Sequence, residues 1–152
     1  MKLIIIFFVI TSLFANQTNR NNDLNIILND TKIWTDFPIQ PLLTINEAKL
    51  YCNNLHVDSY KNWRLPTIEE LESIIDYHKE KPKIISSFKY VYYPYINNRE
   101  MYGGYWSSDL IVWKTKHSIN YKLEGSSYIV EFKDGSTLGS KSKNYVRCIH
   151  EN

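Results

Sequence analysis

Two cysteines, Cys52 and Cys148, carry the most reactive side chains in this chain. They could be joined in a disulfide, serve as reactive thiols or hold a metal ion. The last two uses need histidine or lysine neighbours at ligand spacing, and no such spacing is apparent. In an oxidising compartment an even cysteine count favours a disulfide. Such a bridge would close most of the domain into one loop. In the chain-entropy model, a loop of that size stabilises the folded state by roughly 4 to 5 kcal/mol.

The other side chains that could do chemistry do not form a catalytic pattern. The four histidines show no zinc-type spacing, and the sequence contains no nucleophile elbow, phosphate loop or EF-hand pattern. Glu69, Glu70 and Glu72 could suggest acid–base chemistry, but no partner in the sequence is placed to shift their pKa. We interpret these carboxylates as the solvated first turns of a helix. We therefore expect no catalytic residue, no metal site and no cofactor.

Aromatic and basic side chains are mixed in one segment and in a later loop. Aromatic faces can stack on sugar rings, and lysines attract sulfate or carboxylate groups with a strength that depends on salt. A solvated hairpin with ordinary lysines would have the same composition. The candidate ligand-binding residues are Trp113, Lys114, Lys116, His117, Tyr121, Lys122, Lys141 and Lys143.

Two capping boxes, over residues 44–47 and 67–70, predict where helices begin. In the first helix apolar residues recur at spacings of three and four, which places Cys52 on the buried face. The apolar stripe of the second helix extends to Ile75, and Pro82 lies just past its expected end.

Short β-rich runs predict strands at both ends of the domain. Residues 24–28 and 31–34 flank an Asn-Asp pair and are expected to form a hairpin. Residues 145–149 are expected to form the last strand, with Val146 and Cys148 on its inner face. Helix and strand periodicities therefore place both sulfurs inside.

Between these ends the pattern changes twice. Residues 86–105 are rich in tyrosine without a helical period, which predicts a long ordered loop region with short strands. Residues 128–132 alternate as a strand does, and the Asp-Gly pair at 134–135 predicts a turn.

The N-terminus determines the expected compartment. Lys2 precedes a short apolar run and a small residue, Ala15, as in a secretory signal peptide over residues 1–15. An uncleaved membrane anchor is the alternative. Residues 16–23 are polar and are interpreted as a disordered lead-in to one domain over residues 24–152. We expect an exported protein, periplasmic, at the cell surface or secreted, with no permanent membrane span after cleavage.

The charge balance excludes one class of partner. The chain has 18 basic and 16 acidic residues, a formal net charge of +2. It therefore lacks the basic field that nucleic-acid binding needs.

A set of motifs spread along the chain resembles one known family. It comprises separate tryptophans, an Arg-Leu-Pro-Thr run, a Trp-Ser-Ser run and an Arg-Cys pair near the end. The motif residues are Trp34, Trp63, Arg64, Leu65, Pro66, Thr67, Trp106, Ser107, Ser108 and Arg147. Over nearly the whole domain the sequence resembles the bacterial Lcl C-terminal domain family, named after the terminal domain of a collagen-like adhesin.

The resemblance implies a C-type-lectin-like fold related to formylglycine-generating enzymes, with a disulfide linking Cys52 and Cys148. We expect an α+β domain with two short helices packed on small antiparallel sheets, long ordered loops and one disulfide. From the residues alone, Trp63 and Trp106 are core side chains. Arg64 could stack on a ring or pair with a carboxylate, and the serines could satisfy buried backbone groups.

Three functions remain open. The first is a non-catalytic binding or adhesion module for glycans, sulfated or acidic, or for envelope proteins; in the collagen-like adhesin the domain is associated with binding of sulfated glycans. The second is a structural or assembly component of the cell envelope, contacting a partner through tyrosines. The weakest is a formylglycine-generating-enzyme-like oxidoreductase, which would need two reactive cysteines.

Overall fold

The computed structural model describes residues 18–92, 95–96, 99–100, 104–114 and 120–151. The expected signal peptide lies outside these residues. Within them the helices are α1 Ile45–Asn53 and α2 Ile68–Ser73. The strands are β1 Thr18–Asn21, β2 Ile26–Asn29, β3 Lys32–Thr35, β4 Tyr95–Ile96, β5 Arg99–Glu100, β6 Tyr105–Lys114, β7 Asn120–Glu131, β8 Ser136–Ser140 and β9 Ile149–Glu151.

These strands pair antiparallel in three sheets, with orders β1-β2-β3-β9, β4-β5 and β6-β7-β8. The predicted α+β class, with two short helices and small antiparallel sheets, is confirmed. The short strands β4 and β5 lie in the tyrosine-rich region, of which residues 93–94, 97–98 and 101–103 are outside the described part of the chain.

The expected disorder of residues 16–23 is wrong over Thr18–Asn21, which forms β1. This strand pairs along its length with β2, Thr18 opposite Asn29. Its side chains have little apolar surface to bury, so the sequence gives no sign of order. The order comes instead from strand pairing and from an ion pair between Arg20 and the buried Asp36.

The predicted first hairpin is confirmed as β2 and β3, with slightly different bounds. Asn25 and Asp30 have φ of 51° and 55°. Such values lie in the left-handed region and cannot continue a strand. Strand β2 therefore begins after Asn25, and the turn between β2 and β3 includes Asp30.

Both capping boxes form as predicted. In α1 the Thr44 hydroxyl accepts from the Glu47 amide, and the Glu47 carboxylate accepts from the Thr44 amide at 2.8 Å. The same reciprocal bonds open α2. This helix ends at Ser73, earlier than its apolar stripe suggests, since the Ile74 amide bonds only three residues back. Neither of these helices is long and apolar enough to cross a membrane.

The four-stranded sheet separates two apolar cores. Ile26 and Ile33 belong to the core that contains the buried face of α1. Their neighbours Ile27 and Trp34 belong to the core that contains Leu71 of α2. Alternate residues of β2 and β3 therefore bury opposite faces, as the two-residue period of a strand requires.

The predicted disulfide is confirmed. Cys52 on α1 and Cys148 before β9 are joined across 96 residues, with Cα atoms 5.5 Å apart. Both cysteines are fully buried. The bridge ties the first helix to the last segment of the domain.

The predicted last strand over residues 145–149 is wrong in its bounds, because β9 is Ile149–Glu151. The Cys148 carbonyl accepts from the Thr35 amide at 3.0 Å, one residue beyond the Trp34–Ile149 pair at the end of the β3-β9 register. Every residue from 145 to 149 is buried, since the two cores cover the segment from both sides. It therefore has no solvent face, and Arg147 lies inside the protein.

The turn predicted at residues 134–135 is confirmed between β7 and β8. Gly135 has φ of 83°, which favours glycine, and its amide donates to the Glu131 carbonyl at 2.8 Å. The Asp134 carboxylate accepts from the Ser136 amide at 2.9 Å.

Candidate functional site

Asp36, the residue after β3, is the centre of a buried ionic cluster. Its carboxylate is fully buried and lies 3.0 Å from Nη1 of Arg147. It also accepts from the backbone amides of Lys89, at 2.8 Å, and Tyr90, at 3.2 Å. Arg20 of β1 forms a second ion pair with it. Donors from three distant segments therefore converge on one carboxylate.

Arg147 completes the cluster from the segment before β9. Its guanidinium donates to the carbonyls of Thr35, at 2.6 Å, and Tyr90, at 2.8 Å. Its Cζ lies 4.4 Å from the centroid of the Phe88 ring and 5.1 Å from that of Tyr105. Nε has no hydrogen-bond partner within the described residues. Because the arginine is fully buried, the cluster supports the fold and offers no access to a ligand.

The sequence pattern identified Arg147 as a motif residue but missed its ion-pair partner Asp36, and it missed Arg20 as the second partner of Asp36. Asp36 follows a buried Trp-Thr pair directly, and an acidic residue at that place was the only available sign. Arg20 gave none, because it lies in a segment with no apolar pattern.

Arg64 forms the second ionic cluster, at the surface between β3, α2 and β9. Two of its nitrogens bind the Glu70 carboxylate, each at 2.8 Å, and one also binds Glu151 at 2.9 Å. Lys32 lies 3.0 Å from Glu70. Burial by itself would raise the pKa of Glu70, but the bonds from Arg64, the Thr67 amide and Lys32 outweigh it and hold the pKa at about 2.

The interpretation of the three helix acids as unpartnered is therefore wrong for Glu70. Its charged partners, Arg64 and Lys32, lie outside α2, and the capping-box spacing does not predict that they meet Glu70. Glu69 and Glu72 are exposed, and Glu72 accepts a hydrogen bond from the Thr137 hydroxyl at 2.9 Å.

Most of the remaining motif residues are buried. The indole of Trp63 donates to the Tyr60 carbonyl at 3.1 Å, and that of Trp106 to the Leu43 carbonyl at 2.7 Å. The Trp34 indole nitrogen has no partner in the described part of the chain. Thr67 is the N-cap of α2. The fully or nearly buried motif residues are Trp34, Trp63, Leu65, Pro66, Trp106, Ser107 and Arg147.

The Trp-Ser-Ser motif fastens β6 to the start of α2. The Ser108 amide donates to the Pro66 carbonyl at 2.7 Å, and the Ser107 hydroxyl accepts from the Asp109 amide at 3.2 Å. Asp109 in turn accepts from the Ile68 amide at 2.6 Å, in the first turn of α2. Sequence reasoning did not single out Asp109.

The candidate ligand-binding residues on the β6-β7 hairpin are placed by strand register. Lys116 and His117 lie outside the described residues. The register pairs Val112 with Lys122, Trp113 with Tyr121, and Lys114 with Asn120. The backbone thus brings four of the candidate positions, 113, 114, 121 and 122, to the far end of one hairpin.

Lys141 and Lys143 follow β8, in the loop that leads to Asn144 and Tyr145, which bond to Leu43 and to Gly104 just before β6. The last residue of β8, Ser140, lies opposite Ser127 of β7, and the paired strand ends 112–114 and 120–122 lie farther along β6 and β7. Both lysines are exposed. The described residues therefore give no contact between these two lysines and the candidates on β6 and β7.

A pocket of about 420 Å³ lies beside this loop. Its polar lining includes Lys143, and Ile129 and Leu138 supply apolar surface. The Ser140 hydroxyl accepts from the Ser142 amide at 3.2 Å and from the Asn144 side chain at 2.8 Å. These bonds fix the shape of the loop.

Within the described residues, no three histidine, cysteine, aspartate or glutamate side chains are grouped to hold a metal ion.

The family model of the Lcl C-terminal domain matches residues 17–150. No curated protein matches the chain.

Proposed function

The chain belongs to the Lcl C-terminal domain family, and from its surface we propose an exported, non-catalytic module that binds acidic or sulfated glycans at the loop after β8. The observation that carries the proposal is that the exposed Lys141 and Lys143 lie in this loop, beside a pocket of about 420 Å³ whose lining includes Lys143.

The pocket beside Lys143 supports this proposal. Its volume of about 420 Å³ is within the range of small-ligand sites. Ile129 and Leu138 can contact the apolar face of a sugar ring, while an exposed ammonium attracts sulfate or carboxylate. Lys143 also interacts with the Glu47 carboxylate, whose pKa is lowered mainly by the Thr44 amide and hydroxyl and to a smaller degree by Lys143. An anionic ligand must compete with that carboxylate.

The disulfide supports both export and the absence of catalysis. A buried bridge is stable in an oxidising compartment, in keeping with the proposed signal peptide over residues 1–15. An oxidoreductase of the formylglycine-generating type would need two reactive thiols, whereas Cys52 and Cys148 are joined.

We propose a C-type-lectin-like arrangement for the fold, since two helices, small antiparallel sheets and a bridge from the first helix to the last segment fit that description.

Binding of the exported protein to immobilised heparin and dextran sulfate tests the proposal. Lys141→Ala with Lys143→Ala should reduce the retained fraction several-fold, and binding should weaken as salt rises. The pair Lys49→Ala with Lys61→Ala removes the same charge elsewhere and should change binding little. Equal losses in both pairs, or no binding by the native protein, would refute the site.

A conservative change at Glu47 gives a gain-of-function test. Glu47→Gln keeps a capping side chain but removes the charge that competes for Lys143. We expect tighter binding to both polymers, with a small loss of thermal stability because the ionised carboxylate is the better cap at the positive end of α1. Unchanged or weaker binding would argue against Lys143 as the anion contact.

Envelope-protein binding is the second candidate function, and exposed apolar side chains favour it. Ile39 is 84% exposed and Leu50 is 61% exposed. An open apolar surface lies along the outer side of α1, lined by Leu50, Tyr51 and Leu55 among others. Crosslinking in cells from a photoreactive residue at position 50 would support this alternative if one protein is captured and heparin binding is absent.

A further inference from the structure

A second pocket, of about 500 Å³, opens beside the edge strand β1. It is far in sequence from the loop that contains Lys141 and Lys143, which is called the lysine loop below. Strand register explains its lining. Asn19 lies opposite Leu28, which lies opposite Ile33, so the three form one row across the sheet. Asn21 and Ile26 form the next row on the same face. The edge strand therefore contributes carboxamides, and the inner strands contribute an apolar floor.

The carboxamides on the rim are held by the turn after β1. The Asn21 oxygen accepts from the amides of Asp23, at 3.1 Å, and Leu24, at 3.2 Å. The Asn22 oxygen accepts from Arg20 Nε at 2.9 Å and from Lys89 Nζ at 2.8 Å. Because the oxygens are used, each side chain can still donate through its NH₂ group.

Tyr60 forms the opposite wall. Its ring is held edge-on against two other rings, with centroids 6.4 Å from Trp63 and 5.5 Å from His150. Trp63 is buried, so the tyrosine is supported from below. The pocket thus has a fixed aromatic wall, and the phenol can both donate and accept hydrogen bonds.

The charges of the lining argue against an anionic ligand. Arg20 is engaged by Asp36, the Ser87 carbonyl and Asn25. Among the described residues that line the pocket, Asp23 has an exposed carboxylate with no described ion-pair partner. The rim therefore carries a negative charge. A ligand with both donors and acceptors, no negative charge and one apolar face would match these groups.

We propose that this pocket binds a neutral sugar ring, with hydroxyls on the asparagine and aspartate rim and the apolar ring face against Tyr60 and the isoleucine floor. The volume fits a small-ligand site. The proposal goes beyond the lysine-loop site, because it names a second ligand class at a different place. Since no ion pair forms, binding should depend little on salt.

Backbone amide chemical shifts of the exported protein, titrated with lactose, maltotriose and chitotriose, test this site. At least one sugar should give saturable shifts at residues 19–23 and at Tyr60. Its affinity should change by less than about twofold between about 0.05 and about 0.5 M salt. Lys141→Ala with Lys143→Ala should not alter it, which separates this site from the glycan site proposed above.

Matched variants identify the contacts. Asn19→Ala, at an exposed position, and Tyr60→Leu should each weaken binding, by about tenfold for one lost hydrogen bond or ring contact. Asn53→Ala and Tyr77→Leu change an exposed asparagine and an exposed tyrosine elsewhere and should have no effect. If none of the three sugars shifts these amides, or if the shifts persist unchanged in both pocket variants, the proposal is overturned.

Discussion

Asp36 and Arg147 form an ion pair in which both side chains are fully buried, with Nη1 and Oδ1 3.0 Å apart. The pair lies next to the disulfide in the chain, because Cys148 follows Arg147 directly and its amide donates to the Thr35 hydroxyl at 2.9 Å. The ion pair therefore fastens the approach to β9 to the end of β3, and the disulfide fastens the same approach to α1.

Removing one member of this pair should destabilise the protein strongly. Asp36→Asn would leave a buried guanidinium without its counter-charge, which costs about 3 to 5 kcal/mol. Asp36→Leu combined with Arg147→Met should cost less than the sum of the two single changes, because each single change leaves the other member of this buried pair without its counter-charge and the double change does not. Urea unfolding measures these values, and additive losses would contradict the coupling.

The stability contributed by Glu70 should depend on pH. Its folded-state pKa of about 2 lies below the ordinary value of 4.5, so the contribution is complete above 4.5 and is lost as the pH falls toward 2. Glu70→Gln should therefore cost about 1 to 3 kcal/mol near neutral pH, and the difference from the native protein should shrink in acid. Glu69→Gln, at the adjacent exposed carboxylate, is the control. A difference independent of pH would disprove the assignment.

Glu131 should behave in the opposite way. It is 1% exposed, and neither carboxylate oxygen has a hydrogen-bond partner within the described residues. Burial raises the pKa of Glu131, and the negative charge of Asp134 raises it further. The positive charge of Lys133 lowers it, but by less. Ionisation is therefore harder in the folded state, and a penalty grows as the pH rises above 4.5 toward the raised folded value. Glu131→Gln should leave stability unchanged at low pH and raise it near neutral pH, by about 1 kcal/mol. Thermal unfolding at both pH values would detect this, and a loss near neutral pH would count against it.

Two glycines should respond differently to a methyl group. A Cβ on Gly104 would lie 2.6 Å from Cδ1 and 2.8 Å from Cβ of Ile129, a buried residue that cannot swing aside. Gly104→Ala should therefore cost about 1 to 3 kcal/mol. A Cβ on Gly139 would meet only the outer part of the Ile111 side chain, with Cδ1 at 2.7 Å, which a rotamer change can relieve. Gly139→Ala should cost much less in the same urea assay.

The sequence by itself determined the features that depend on near neighbours. Both helix starts follow from bonds between residues three apart, and the turn at Gly135 follows from one aspartate and one glycine. Periodicity placed Cys52 on a buried helix face, and the even cysteine count, in a chain that we expect to be exported, indicated its disulfide with Cys148.

Only the tertiary structure decided which charges meet and where the surface is concave. Arg147 and Asp36 are 111 residues apart, and Lys32 and Glu70 come from different elements. The order of β1 and the pocket between Asn19 and Tyr60 likewise depend on segments that are distant in the chain. Hydrogen bonds between near neighbours require particular residue types at fixed short spacings, so the sequence predicts them. Ion pairs and pockets formed by distant segments require no such spacing, because folding alone sets the distances between their members.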